Sequence, residues 1–139
     1  MTNTELSLPT VRTMLATAKT IAVIGLSDDP SKPSHSVAAY LQRHGYKIVP
    51  ITPKTTPILS EQPYPDLASV PFPIDIVDIF RRSEAVGPHV DEAIAVGAKA
   101  VWLQLGIRND EAVARAAAAG LQTVQDRCIK IEHARLIGR

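Results

Sequence analysis

Residues 21–34 read IAVIGLSDDPSKPS, and the fold turns on how this stretch is read. It opens with Ile21-Ala22-Val23-Ile24, a short apolar run with β-branched side chains that suits a buried strand. Gly25 ends the run. A polar loop follows, and Pro33-Ser34 leads into a segment with helical periodicity. Strand, glycine turn and helix start point unpaired backbone N–H groups at an anion, and the helix dipole adds positive potential there. The stretch therefore reads as a nucleotide-phosphate loop. It lacks the G-x-G-x-x-G of a dinucleotide fingerprint and the G-K-[ST] ending of a Walker A loop, so a purely structural turn stands beside that reading.

Outward from the loop, Val37, Tyr40, Leu41 and His44 recur at helical spacing, and Gly45 ends that helix. Residues 46–51 form a second short apolar strand. The interval back to Gly25 is too long for a hairpin and fits a crossover between parallel strands. Upstream, Leu8, Val11 and Leu15 share one helical face, with Ser7 as N-cap and Pro9 in the first turn. Residues 52–73 carry Pro53, Pro57, Pro63, Pro65, Pro71 and Pro73, which predicts a long irregular connection. Within it Ile58-Leu59 is expected to pair briefly at an edge, and residues 66–69 to make one helical turn. Residues 74–80, IDIVDIF, alternate apolar side chains with Asp75 and Asp78 and read as a third strand. Ser83 starts a turn and Pro88 lies early in a helix closed by Gly97. Residues 99–103 form a fourth strand. Asn109 caps an alanine-rich helix that ends at Gly120, residues 121–124 form a fifth strand, and residues 127–136 close the chain as a helix.

Strands alternating with helices predict an α/β fold: a doubly wound, mostly parallel five-stranded sheet with helices on both faces. The whole of 1–139 reads as one domain, with residues 1–18 as an N-terminal helical extension. Fifteen Lys and Arg against fourteen Asp and Glu give a net charge of +1, which gives no reason to expect nucleic acid or an anionic membrane as partner. One Trp, three Tyr and two Phe make no base-stacking platform. The single cysteine, Cys128, excludes an internal disulfide, and the polar stretch 1–10 is no secretory leader, so the expected compartment is the cytoplasm. No run approaches the roughly 18 apolar residues of a membrane span.

A doubly wound sheet places its ligand crevice at the carboxyl ends of the strands, where strand order reverses. The residues just after the strands are Ser27, Lys32 and Ser34, then Pro53 and Lys54, then Phe80, Arg81 and Arg82, then Gln104, Gly106 and Arg108. Together they offer cations, hydroxyl donors and a helix N-terminus, which suits a ligand with several phosphates. Charge alone does not choose this rim, because Lys19, Lys47 and Lys99 fall at the opposite one and Asp28 and Asp29 dilute the field. The end of the second strand discriminates further. An NAD site carries an acid there, whereas this chain has Thr52-Pro53-Lys54. A cation suits a ribose bearing an extra phosphate, as in NADP or a 3′-phosphorylated ADP such as coenzyme A.

Other reactive side chains read as structural. His35, His44, His89 and His133 are scattered without ligand spacing, so no metal site is expected. Asp75 and Asp78 stand at i, i+3 on one strand and face opposite sides, which makes no acid–base dyad. His133 reads as a structural contact and Trp102 as core. Cys128 reads as a partly buried, inert thiol; the alternative is a reactive one favoured by Arg127 and Lys130.

The segments IAVIGLSDDPSKPSHSVAAYLQRHGYKIVPITPK, DIVDIFRRSEAVGPHVDEAI, AVWLQLGI and DRCIKIEHARL resemble the small stand-alone bacterial CoA-binding proteins, whose Rossmann-like fold is similar to the N-terminal domain of the succinyl-CoA synthetase α-subunit. The resemblance covers residues 19–136. It implies Gly25, Ser27, Lys32, Pro33 and Ser34 around the diphosphate. Pro53 and Lys54 match the loop at the adenosine end; Phe80, Arg81 and Arg82 match the loop after the third strand. Gln104 falls where the pantetheine arm is expected. Lys32 and Thr52 stand where the family more often has Arg and Asn, and Ser60 stands where a glycine is usual. The expected function is non-catalytic binding of coenzyme A or an acyl-CoA, with no metal and with the protein partner left open. The rival is a small NADP-dependent reductase, or an acyl-CoA-handling enzyme subunit completed by a partner.

Overall fold

The computed structural model describes residues 6–138. Of the N-terminal extension and the polar stretch read as no leader, residues 1–5 lie outside the described residues. The elements run α1 (Leu8–Thr17), β1 (Thr20–Ile24), α2 (Pro33–Arg43), β2 (Lys47–Ile51), β3 (Ile76–Ile79), α3 (Val86–Ala95), β4 (Ala100–Leu103), α4 (Asp110–Ala118), β5 (Gln122–Val124) and α5 (Ile129–Leu136). Local chemistry sets several of the boundaries. Ser7 caps α1 by accepting the Thr10 N–H, and Asn109 caps α4 by accepting the Ala112 N–H. Asp75 falls just before β3, not within it.

All five strands are parallel, in the order β2-β1-β3-β4-β5. Ile21, Val23, Ile76 and Trp102 face one core, closed by α1, α2 and α5 through Leu15, Leu41 and Ile129. Ala22, Ile24, Val77 and Leu103 face the other, closed by α3 and α4 through Val90 and Val113. Each fully buried aliphatic side chain contributes about 1.5–3 kcal/mol, so strand pairs with apolar side chains on both faces hold the sheet from both sides. Trp102 is fully buried, and its indole N–H donates to the Arg127 carbonyl at 2.8 Å.

The chain leaves β1 toward β2, then returns past β1 to β3, so the order reverses between β1 and β3. The return path is residues 52–75, irregular apart from one 3-10 turn, Leu67–Ser69, capped by Asp66. Ile58 and Glu61 exchange both backbone hydrogen bonds around Leu59 and Ser60, whose φ angles are 54° and 64°. Ser60 thus takes the left-handed conformation that a glycine would take, and the turn keeps its shape without one.

Candidate functional site

Gly25 stands at the reversal point. Its N–H donates to the Ile51 carbonyl at 3.1 Å, while Phe80 N–H donates to the Ile24 carbonyl at 2.9 Å. Its φ is +84°, and a Cβ built there would lie 2.5 Å from the Phe80 carbonyl oxygen. Glycine is therefore required by both conformation and space. β1 and β3 close on each other at this point.

The first loop is built from its own side chains. The Ser34 hydroxyl, buried in the first turn of α2, accepts the Ser27 N–H at 2.9 Å, and Ser27 Oγ accepts the Asp29 N–H at 3.0 Å. Asp29 Oδ1 accepts both the N–H and the hydroxyl of Ser31, bonds that hold its carboxyl below the usual range. Pro33 opens α2, a position where its missing N–H costs nothing, and Lys32 precedes it, exposed. Serine oxygens accept the loop's N–H groups, so both hydroxyl hydrogens remain available to an anion above.

The second loop follows β2. Thr52 is buried; its N–H donates to Tyr64 and its hydroxyl accepts the Lys54 N–H at 3.4 Å. Lys54 Nζ lies 3.1 Å from Asp28 Oδ2, an ion pair that joins the first loop to the second. An acid therefore does stand at the end of β2, supplied by the loop after β1. A reading limited to the residues that end β2 misses it, since nothing in the local pattern pairs residues 28 and 54.

The third and fourth loops enclose a cleft of about 450 Å³ between residues 80–83 and 105–107. Phe80, Leu105 and Ile107 line it alongside Arg81 and Arg82. Arg82 pairs with Glu84 at 3.5 Å; Arg81 has no ion-pair partner among the described residues. Burial and the Arg81 charge hold the His89 imidazole below its ordinary value, against the pull of Glu92. Gln104 is 4% exposed, and its Oε1 accepts the Ile129 N–H at the start of α5. Its amide nitrogen has no hydrogen-bond partner among the described residues. Asp126 Oδ1 accepts the Gly106 N–H, and Gln125 Oε1 accepts the Asn109 N–H, so this side of the rim is tied to the β5–α5 connection. Cys128 precedes α5 half-buried, its thiol making no capping bond, and Arg127 beside it pairs with Glu132 at 3.6 Å.

The remaining sequence candidates lie away from this rim. His133 is buried at the opposite end, its Nδ1 2.8 Å from the Tyr40 hydroxyl, with burial and His44 lowering its proton affinity. Asp78 lies in β3 between Val23 and Trp102, fully buried, and neither carboxylate oxygen finds a hydrogen-bond partner among the described residues. Burial pushes its carboxyl well above the usual range. No group of three or more His, Cys, Asp or Glu side chains among the described residues could hold a metal ion. No described helix is long and apolar enough to cross a membrane.

A parallel doubly wound sheet with phosphate-competent loops at the β1/β3 reversal defines the class of nucleotide-binding α/β domains. Within that class the chain belongs to the CoA binding domain family, which it matches over residues 19–134. It is 37% identical over 124 residues to the uncharacterised protein YneT of Bacillus subtilis, covering 89% of this chain and 92% of that one. A hypothetical protein from Pyrococcus horikoshii superposes with a TM-score of 0.91 at 37% identity, over 99% of this chain and 100% of that one. A dinucleotide forming acetyl-coenzyme A synthetase of Ca. Korarchaeum cryptofilum, solved with phosphate and ADP, is similar at a TM-score of 0.70 and 26% identity. That match covers 78% of this chain and 26% of the larger enzyme.

Proposed function

We propose that the protein is a cytoplasmic, non-catalytic module that binds coenzyme A or an acyl-CoA across the carboxyl ends of β1 to β4. The observation that supports this best is the family match over residues 19–134, which takes in all four rim loops. In this reading the diphosphate lies over Gly25, against the hydroxyls of Ser27 and Ser34, the start of α2 at Pro33 and the Lys32 ammonium. The adenosine end lies at Pro53 and Lys54. The pantetheine arm crosses the cleft between Phe80, Arg81, Arg82 and the Gln104 loop. The Ser27 and Ser34 hydroxyls accept backbone N–H groups and donate to no basic side chain among the described residues, which supports binding without turnover.

Calorimetric titration tests the reading. Hydrogen bonds to ionised donors contribute about 1.5–3 kcal/mol, less where solvent screens them. Coenzyme A is therefore expected to bind roughly tenfold tighter than dephospho-coenzyme A, and NAD to bind weakly. Lys54→Ala is expected to shrink that advantage while leaving dephospho-coenzyme A nearly unchanged. NAD or NADPH binding tighter than coenzyme A would replace this reading with the reductase. Sustained thiol release from acyl-CoA by the protein alone would make it an enzyme.

A further inference from the structure

The two neighbouring acids of the first loop have different tasks. Asp29, exposed, bonds within its own loop and holds Ser31 through two hydrogen bonds. Asp28 turns outward and crosses to the next loop, where it meets Lys54 at 3.1 Å. The loop's other hydrogen bonds are made without Asp28, and Lys54 is seated by the buried Thr52, so the fold does not need this pair to shape either loop. Both partners remain about half exposed, at 46% for Asp28 and 53% for Lys54. An exposed ion pair of this kind contributes little to stability. Its donors and acceptors are also far from used up. An ammonium has three N–H donors and a carboxylate about four acceptor sites, of which this contact takes one from each.

The end of the second strand is where a doubly wound domain meets the ribose. A phosphorylated ribose presents two unlike groups on adjacent carbons: an anionic phosphate, which needs donors, and a hydroxyl, which offers one. Asp28 and Lys54 present the complementary couple at hydrogen-bond spacing. We infer, resting on the coenzyme A reading, that Asp28 and Lys54 together read the phosphorylated ribose. Lys54 donates to the 3′-phosphate, and Asp28 accepts the neighbouring 2′-hydroxyl while holding the ammonium in place. Asp28 is thereby a specificity-determining residue and not merely a charge that weakens the site. The repulsion between its carboxylate and the phosphate is offset by the ammonium between them.

The test uses adenosine 3′,5′-bisphosphate, its 2′-deoxy analogue and adenosine 2′,5′-bisphosphate, titrated against wild-type protein, Asp28→Ala and Lys54→Ala. Coenzyme A itself is titrated against the wild type as reference. Wild-type protein is expected to prefer the ribose form over the 2′-deoxy form by about fivefold, the size of one screened hydrogen bond to a charged group. Asp28→Ala should bring that ratio to one, whereas Lys54→Ala weakens both bisphosphates together. Circular dichroism checks that each variant folds, and Asp28→Asn, which keeps an acceptor, should restore part of the ratio. A wild-type ratio of one, or an unchanged ratio in Asp28→Ala, overturns the inference while coenzyme A binding stands. Tighter binding of the 2′,5′ isomer, or no binding of coenzyme A, overturns the underlying reading and the inference with it.

Discussion

At the lower end of the sheet, side chains bond across the whole chain. The Asp75 carboxylate accepts the N–H groups of Lys19 and Thr20 at 2.8 and 3.0 Å, the Tyr46 hydroxyl donates to the Leu15 carbonyl, and the Tyr40 hydroxyl meets His133. Burial raises the Asp75 carboxyl, but these N–H groups and Lys99 outweigh it and hold the group below the usual range. In the first loop at the upper end, the side-chain hydrogen bonds beside Gly25 stay local: Ser27 with Ser34, Asp29 with Ser27, Ser31 with Asp29. Among the described residues only the exposed Asp28–Lys54 pair leaves the loop. The lower contacts can form only once the fold is complete, and they consume the polar groups that make them. The upper loop carries its own shape, so its ammonium and hydroxyl groups are left for a ligand. Lysines lie at both rims and are ion-paired at both, Lys47 and Lys99 below and Lys54 above, so the locally bonded first loop, not charge, marks the upper one.

The sharpest way to break the comparison is Gly25→Ala. Gly120 also has a positive φ, +93°, but a Cβ there would meet nothing within 4 Å. Gly120→Ala carries the cost of left-handed backbone alone, about 1 kcal/mol. Gly25→Ala adds the 2.5 Å contact with the Phe80 carbonyl, which backbone must yield to relieve. It is expected to cost about 3 kcal/mol or more, read by urea denaturation. Equal losses at the two glycines would show that the close approach of Gly25 to the Phe80 carbonyl makes no steric demand.

Asp78 belongs to neither end. It lies in the middle of the central strand, against the α1–α2–α5 core, with no partner for its carboxylate among the described residues. Burial raises its folded-state pKa well above the ordinary carboxylate value, so between the two values the chain takes up a proton on folding. The resulting stability is full below the ordinary carboxylate pKa and is lost as pH rises toward the raised folded value. Over that window the loss is about 1.4 kcal/mol per pH unit. Asp78→Asn removes the proton uptake at nearly constant shape. It is expected to unfold later than wild type at pH 7, with the two converging near pH 4. Parallel pH profiles of the two proteins would mean that the buried carboxyl finds a partner in solution.

Short-range chemistry was readable from the sequence. Ser7 and Asn109 act as caps, Gly25 ends the first strand, and Asp66 starts its single turn because each of these depends on neighbours within a few residues. The doubly wound, parallel class followed from five apolar runs mostly separated by helices, without their order in the sheet. What the chain did not reveal depends on which strands become neighbours. The two acids of IDIVDIF fall on opposite sides, and because β3 is covered on both faces Asp78 is buried with the aliphatics. Asp28 and Lys54 meet only because β1 and β2 are adjacent and parallel. Gln104 stands after β4, but its carbonyl oxygen is held by the N–H at the start of α5, a contact 25 residues away in sequence.

The smallest expected effect lies at the lower end, in the turn at Leu59 and Ser60. Glu61 pairs with Lys47 at the start of β2, and Gln42 donates to the Leu59 carbonyl, so the turn belongs to the end closed by long-range bonds. Both central residues have positive φ, which suits a two-residue hairpin turn but strains L side chains. Leu59 compensates by packing against the core; Ser60 is exposed and has no such return. Ser60→Gly removes a strain of about 1–2 kcal/mol. It also gives the unfolded chain more freedom, worth about 0.4–1 kcal/mol in the opposite direction. The net gain is therefore about 0.5–1 kcal/mol, or a rise of a few degrees in Tm for a domain of this size. Leu59→Gly relieves the same strain but loses the core contact, and it should destabilise. If Ser60→Gly also lowers Tm, the left-handed turn is not strained, and the lower end is held by its cross-chain bonds at no local cost.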